Sequence, residues 1–454
     1  MYAGCLWRHA PRRAFCGGSV VRRTSKTTPH RRRHSTLHGK AVASASTAFD
    51  AALASPFIQQ SHEYQPDYER AIHLSARVLG LGTSEMELER SHVSKEVSSS
   101  AACKDGHTSV ERSIEGFRER MLSQVFTDNA TVNEITRYVL SLQSKLFRPR
   151  LGLLMARVLS GRAASSDTSS SCMPAVQDSG SYANEDVMKR VMRLLQSYEI
   201  VHAGSLVHDD ILDDADTRRR AQTVHLKVGT KASILVGDLM LSRACSVVAN
   251  LGSQQSTIRM AKVLENLIKG ELTRVKVTDS VEGMMRVYLQ KIFLKTASLI
   301  AECCASIADL FRLDAILSHK CYLIGLHVGM AFQIYDDLLD YRSASADLGK
   351  PTLSDVSSGL VTMPLLMALT ESSELRALFA DGAIPTGNVD TILSLVRGTQ
   401  AFERCQCAVM LHLSEVSRLL RGLECEEAVP SSPLSGPAHM LLRFVFDTLT
   451  RSQG

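Results

Sequence analysis

Apolar residues recur every three or four positions through most of this chain, and that period restricts the fold more than any other feature. From Val187 to Leu212 the pattern runs through Val187, Val191, Leu194, Leu195, Tyr198, Ile200 and Val201. It returns over 231–250, 257–277, 284–310, 317–341, 360–380 and 390–422. Strand-like alternation is weak everywhere. Prolines fall mainly between the periodic runs, at Pro149, Pro351 and Pro364, where they cost a helix no internal hydrogen bond. The pattern predicts an all-α chain whose long helices bundle around one core.

Composition marks the parts that stand outside the bundle. Residues 1–49 hold no acid, Asp50 being the first, while Arg and Lys recur from Arg8 to Lys40 among many Ser and Thr. That is the composition of an organellar import segment; a nucleic-acid-binding arm is the rival, and no basic fold follows to support it. The all-α domain is therefore expected over 50–454, with low-complexity insertions near 91–108 and 160–186, where Ser, Gly and small polar residues dominate. Cys303-Cys304 and Cys405-Gln-Cys407 are the close cysteine pairs, and neither has zinc spacing with a partner pair, so reduced, buried thiols are expected. No apolar run reaches the roughly 18–20 residues that a membrane span needs. The protein is read as soluble or peripheral to a membrane, with no nucleic acid as partner.

Two acidic clusters interrupt apolar helices. LVHDDILDDADTRRR, Leu206 to Arg220, carries Asp209, Asp210, Asp213, Asp214 and Asp216. Helix spacing puts Asp209 and Asp213 on one face, with His202 two turns earlier on that side. GMAFQIYDDLLDYRSASADLGK, Gly329 to Lys350, repeats the arrangement as Asp336, Asp337 and Asp340, with Gln333 one turn before. Like charges at this spacing destabilise a helix by about 0.2–0.5 kcal/mol per pair, more when partly buried. A cation must offset them. Mg²⁺ suits hard oxygen ligands, takes one or two carboxylates, and completes its shell with water and phosphate. Two clusters facing each other would hold a diphosphate through several metal ions. A di-iron bundle, which needs Glu-x-x-His pairs, is set aside because these clusters are built from aspartate and no such pair is read near them.

Cations complete the pattern. Arg218 and Arg219 can fork onto phosphate oxygens. Lys145 and Arg148 precede a helix in SKLFRP, Lys295-Thr296 interrupts the apolar run YLQKIFLKTASLI, and Lys350 follows Gly349 in a polar loop. Together they supply what two diphosphates require: metals for one, direct cations for the other.

These motifs resemble the trans-type isoprenyl diphosphate synthases, over roughly Leu142 to Leu369. The resemblance implies the terpenoid synthase helical bundle, a homodimer or a heteromeric assembly, and three Mg²⁺ held by Asp209 and Asp213, with Asp210 beside them, and by Asp336, Asp337 and Asp340. It implies isopentenyl diphosphate at Lys145, Arg148, His202 and Arg219. It implies the allylic diphosphate at Arg218, Lys295, Thr296, Gln333 and Lys350. Asp209, Asp210, Asp213, Arg218 and Lys295 are the expected catalytic set, ionising the allylic diphosphate so that the isopentenyl double bond attacks the cation and a proton is lost.

Product length in this family depends on the pocket beneath the first motif. Gly204 and Ser205 are small where short-chain members carry aromatics, and GLVTMP, Gly359 to Pro364, has Leu360 where farnesyl-type enzymes have lysine. With the import-like terminus, this resembles the mitochondrial long-chain enzymes that supply the ubiquinone side chain. A farnesyl- or geranylgeranyl-type synthase, a non-catalytic partner subunit and a terpene cyclase are the alternatives; both motifs are intact against the second, and a second diphosphate site argues against the third. Arg220 stands where the family usually has glycine and Arg274 where it often has glutamine.

Overall fold

A computed structural model describes residues 65–98, 110–142, 145–166, 179–219, 221–277, 280–342, 356, 360–379, 389–424 and 434–450, with backbone alone over 161–166 and 179–184. The expected import segment lies outside the described residues, as do Arg220, Lys350 and the middle of the 160–186 segment.

The long helices are α1 (Gln65–Arg77), α2 (Thr83–Ser98), α3 (Phe147–Ser166), α4 (Ser179–Leu212), α5 (Thr230–Ala249), α6 (Gln254–Leu272), α7 (Val281–Ile292), α8 (Ser298–Leu310), α9 (Ala315–Arg342), α10 (Met363–Glu371), α11 (Ala401–Glu424) and α12 (Gly436–Thr450). Among the described residues the only strands are β1 (Thr217–Arg218) and β2 (Ala221–Gln222), an antiparallel pair that turns the chain back after α4. The all-α expectation holds. Local chemistry sets the boundaries: Ser253 and Ser280 accept the N–H of Ser256 and Gly283 at the starts of α6 and α7, and Pro364 sits in the first turn of α10. The predicted run 360–380 splits at Ser372, which caps the short helix Ser373–Leu378.

The buried centre is α9, flanked by α8 and α11. Small residues let it approach closely. A Cβ on Gly329 would lie 2.5 Å from the Ala297 Cα, and one on Gly325 2.7 Å from the Ala301 Cα. A buried polar tie crosses the same layer: Arg259 of α6 bonds Glu302 at 2.9 Å and Asp309 at 2.8 Å on α8, and Ser318 at 3.1 Å on α9. Of the described cysteines, Cys303, Cys304, Cys321, Cys405 and Cys407 are buried free thiols.

Two expectations need correction. Residues 91–98 are the last two turns of α2, not part of an insertion, because Val93 and Val97 at i, i+4 bury against the core beside α11 while the Ser, Lys and Glu side chains flank them. Helix likewise enters both ends of the 160–186 segment, through Ser166 and from Ser179. And two helices, α5 and α9, are long and apolar enough to cross a membrane. For α9 the reason is burial in the bundle centre. The apolar window of α5 is only 33% buried, so much of its apolar surface stands open.

Candidate active site

The first acidic cluster closes α4, where successive carboxylates point in different directions. Asp209 faces a cavity of about 750 Å³ between α4, α6, the turn after α7, and α9. Asp210, one residue on and rotated about the helix, is 3% exposed and lines a separate, smaller cavity. The chain leaves α4 through Asp214 at φ +48° and Arg219 at φ +51°, and the β1–β2 hairpin carries Arg218 back, so that its Nε donates to Asp210 Oδ1 at 2.6 Å. Asp210 thus positions Arg218, whose guanidinium reaches both cavities.

The facing side is built by α6 and the turn after α7. Residues Phe293–Ala297 form a π turn, a device that recurs at functional sites. α6 lies flush on it because Gly270 has no side chain: a Cβ there would be 2.9 Å from the Lys295 N. This brings Glu271 to Lys295, whose ammonium bonds that carboxylate and stands 3.5 Å from Asp209 Oδ2. Burial alone would lower the Lys295 pKa, but Asp209 and Glu271 carry it upward. Burial raises Asp209, opposed by Lys295.

On α9, Thr296 donates to Gln333 Oε1 at 2.7 Å and Gln333 donates to Asp337 Oδ1 at 2.9 Å. Asp337 Oδ2 accepts the Tyr288 hydroxyl and, at 3.4 Å, the Met363 N–H. Both oxygens of Asp337 are therefore engaged, and burial pushes its pKa up to about 6. Asp336 makes no hydrogen bond or ion pair with a described residue; it lines the same cavity as Asp209, from α9, its pKa raised by burial and by Asp340. Asp213 and Asp340 are not on the cavity wall and act through charge, on Asp209 and Asp336 respectively.

Arg148, His202 and Arg219 line one end of the same cavity. Burial, then the charges of Arg148, Arg219 and Arg218, hold the His202 pKa well below its usual value, so the ring is neutral at pH 7. Lys145 is exposed and off the cavity wall. Ser205 is on the wall, but Gly204 is not: it is buried against α5, where a Cβ would meet Leu241 Cδ2 at 3.3 Å and Gly237 O at 3.4 Å. Gly204 thus packs α4 on α5 and stands behind the wall residue Leu241. Arg274 is exposed beyond the end of α6, away from the cavity.

Sequence reasoning missed Glu271, Tyr288 and Lys291, all on the cavity wall. Lys291 alone carried a signal, standing one turn before Lys295. It also missed one Glu-x-x-His pair, Glu199 and His202. Glu199 is buried, and its charge is felt by Arg148 and Arg219, so it serves the arginines and leaves the di-iron alternative unsupported.

Among the described residues no three acidic, imidazole or thiolate groups converge as a ready metal cage. Mg²⁺ does not require one, since it takes one or two carboxylates and fills its shell from water and substrate. Desolvated carboxylates on two helices that line one cavity, Asp209 on α4 and Asp336 on α9, fit that cation.

A model of the family described as polyprenyl synthetase matches residues 129–395. A prenyl transferase of Cyanophora paradoxa is 36% identical over 266 residues, 59% of this chain and 80% of the relative. The mitochondrial solanesyl-diphosphate synthase 1 of Oryza sativa subsp. japonica is 34% identical over 290 residues, 64% of each chain, so under two thirds of that relative is spanned. A crystal structure of a Caulobacter crescentus CB15 polyprenyl synthase, complexed with calcium and isoprenyl diphosphate, superposes with a TM-score of 0.60 over 75% of this chain and 95% of the other, at 24% identity.

Proposed function

Since this chain belongs to the polyprenyl synthetase family, and so is a prenyltransferase, we propose that it is a long-chain trans-polyprenyl diphosphate synthase. It condenses isopentenyl diphosphate stepwise onto an allylic diphosphate and supplies the ubiquinone side chain. One observation carries this reading: Asp209, Lys295, Thr296, Gln333 and Asp336 meet on one cavity that is also lined by the apolar Leu241, Leu264 and Leu267.

Asp209 and Asp336 would hold Mg²⁺, up to three ions, with Asp213 and Asp340 at the next turns adding negative charge behind them. The metal supplies charge to stabilise the departing diphosphate. Arg218, oriented by Asp210, and Lys295, oriented by Glu271, bind the same diphosphate directly, with Thr296 and Gln333 beside them. Lys350 is assigned there by resemblance alone. Arg148, Arg219 and neutral His202 take isopentenyl diphosphate at the other end. Lys145 joins them only if its side chain swings inward. Asp337, tied to Gln333, Tyr288 and α10, keeps α9 in register with the π turn.

Purified chain given labelled isopentenyl diphosphate, farnesyl diphosphate and Mg²⁺ should yield extractable prenyl products beyond C20, and a chelator should abolish them. Products ending at C15 or C20 would reject the long-chain assignment. The mitochondrial relative and the acid-free residues 1–49 support import into mitochondria, with residues 50–454 as the synthase domain.

The chain acts as a homodimer on this reading. Ile234 and Leu235 on α5 are 42% and 59% exposed, and Ile268 and Leu272 on α6 are 63% and 76% exposed. Monomers seldom leave such apolar surface uncovered. Sedimentation should give a dimer for the wild type and a monomer for Leu235→Glu combined with Ile268→Glu. A monomeric wild type that floats with lipid vesicles would instead assign this face to a membrane.

A further inference from the structure

Lys291 lies on the wall of the same cavity, in the last turn of α7. It precedes Lys295 by four residues, and the wide π turn between them keeps both on one side. The two lysines differ in what holds them. Lys295 is committed to Glu271 and stands beside Asp209. Lys291 makes no hydrogen bond or ion pair with any described residue. Glu271, Asp213 and Asp337 attract it through space, and Lys295 repels it. A half-buried ammonium with no partner is costly, and a second cation one turn away adds to the cost. An anion entering the cavity would relieve both.

We propose that Lys291 is a further ligand of the allylic diphosphate, donating to a phosphate oxygen of the leaving group. This rests on the reading of the cavity as an allylic diphosphate site. Scission of the carbon–oxygen bond leaves the electron pair on the diphosphate, which gains one negative charge as the allylic cation forms. Lys295 meets that charge already half neutralised by carboxylates. Lys291 meets it with no carboxylate paired to its ammonium, so its contribution grows toward the transition state and appears mainly in kcat.

The test compares wild type with Lys291→Met, which keeps the aliphatic stem, and Lys291→Arg, which restores the charge. With farnesyl diphosphate, isopentenyl diphosphate and Mg²⁺, Lys291→Met should lose about 10- to 100-fold in kcat. Its KM for isopentenyl diphosphate and its melting temperature should stay near wild type, and Lys291→Arg should recover much of the loss. Calorimetry with Mg²⁺ and inorganic pyrophosphate should show about 10-fold weaker binding to Lys291→Met, the loss of one charge-assisted hydrogen bond. Unchanged kcat and unchanged pyrophosphate binding in Lys291→Met would overturn the proposal. A wild type that makes no prenyl product would defeat the functional reading instead, and pyrophosphate calorimetry would still decide the role of Lys291.

Discussion

Asp209→Asn should lower kcat by on the order of 10³-fold while leaving KM for isopentenyl diphosphate nearly unchanged. Asp209 is the carboxylate of the first cluster that lies on the cavity wall, along with Asp336, and it stands 3.5 Å from the Lys295 ammonium. An amide keeps the shape and removes the charge. Two losses follow. Mg²⁺ gives up a hard anionic ligand on the α4 side of the cavity, so the ion concentration needed for half-maximal rate should rise. Lys295 loses one of the three acids that hold its pKa up, leaving Glu271 and Asp213. The isopentenyl end, built from Arg148, His202 and Arg219, is untouched, which is why the two Michaelis constants should separate. Asp210→Asn serves as the contrast. That residue works through Arg218, so its variant should raise KM for the allylic substrate without altering the Mg²⁺ requirement. Single-turnover rates across a Mg²⁺ titration measure both. An Asp209→Asn enzyme within about tenfold of wild type at ordinary Mg²⁺ would remove Asp209 from the metal site.

The contrast between these neighbours was legible in the sequence. Consecutive residues on a helix point about a third of a turn apart, so Asp209 and Asp213 can share a face while Asp210 cannot. The same rotation separates Asp336 from Asp337 and Ser205 from Gly204, pairs that the sequence reading kept together. Periodicity also predicted α4, α5, α6, α7 and α9, because each presents an apolar stripe to one core, but not α3, which carries Arg148. What periodicity does not contain is which helix faces which. The Glu271–Lys295 contact exists because Gly270 admits the π turn at van der Waals distance, and the engagement of Asp337 depends on Tyr288 and Met363, 49 and 26 residues away in the chain. Composition misled at 91–98 for a related reason. A Ser-rich stretch needs only two valines on the right face to be worth folding, about 1.5–3 kcal/mol for each one fully buried, and composition does not record faces. The resemblance placed Lys145 in the site, yet its side chain lies outside the cavity wall.

Ser205→Phe should truncate the product ladder while leaving the first condensation close to its wild-type rate. Ser205 sits one helical turn before Asp209 and lines the same cavity as the apolar Leu241, Leu264 and Leu267. A chain growing away from Asp209 must pass it. The serine occupies little of that passage, its hydroxyl turned back to the His202 carbonyl at 3.0 Å. A benzyl group cannot retreat toward α5, since Gly204 brings that helix too near, with Leu241 and the Gly237 carbonyl at contact distance. The ring must project into the cavity, where it displaces space that isoprene units would fill. Arg148, Lys295 and Asp336 are left in place, so ionisation and the first addition proceed. Gly204→Phe separates pocket size from packing. There the ring meets α5 itself, and overpacking of that kind costs about 1–3 kcal/mol or more, so the expected result is a lower melting temperature, not a shorter product. Chromatography of products from Ser205→Phe, beside thermal melts of both variants, distinguishes the two roles. A Ser205→Phe enzyme that still makes full-length chains would mean that the product leaves along the exposed Ile268 and Leu272 side of α6, and that the surface assigned to the second subunit is also the wall that measures chain length.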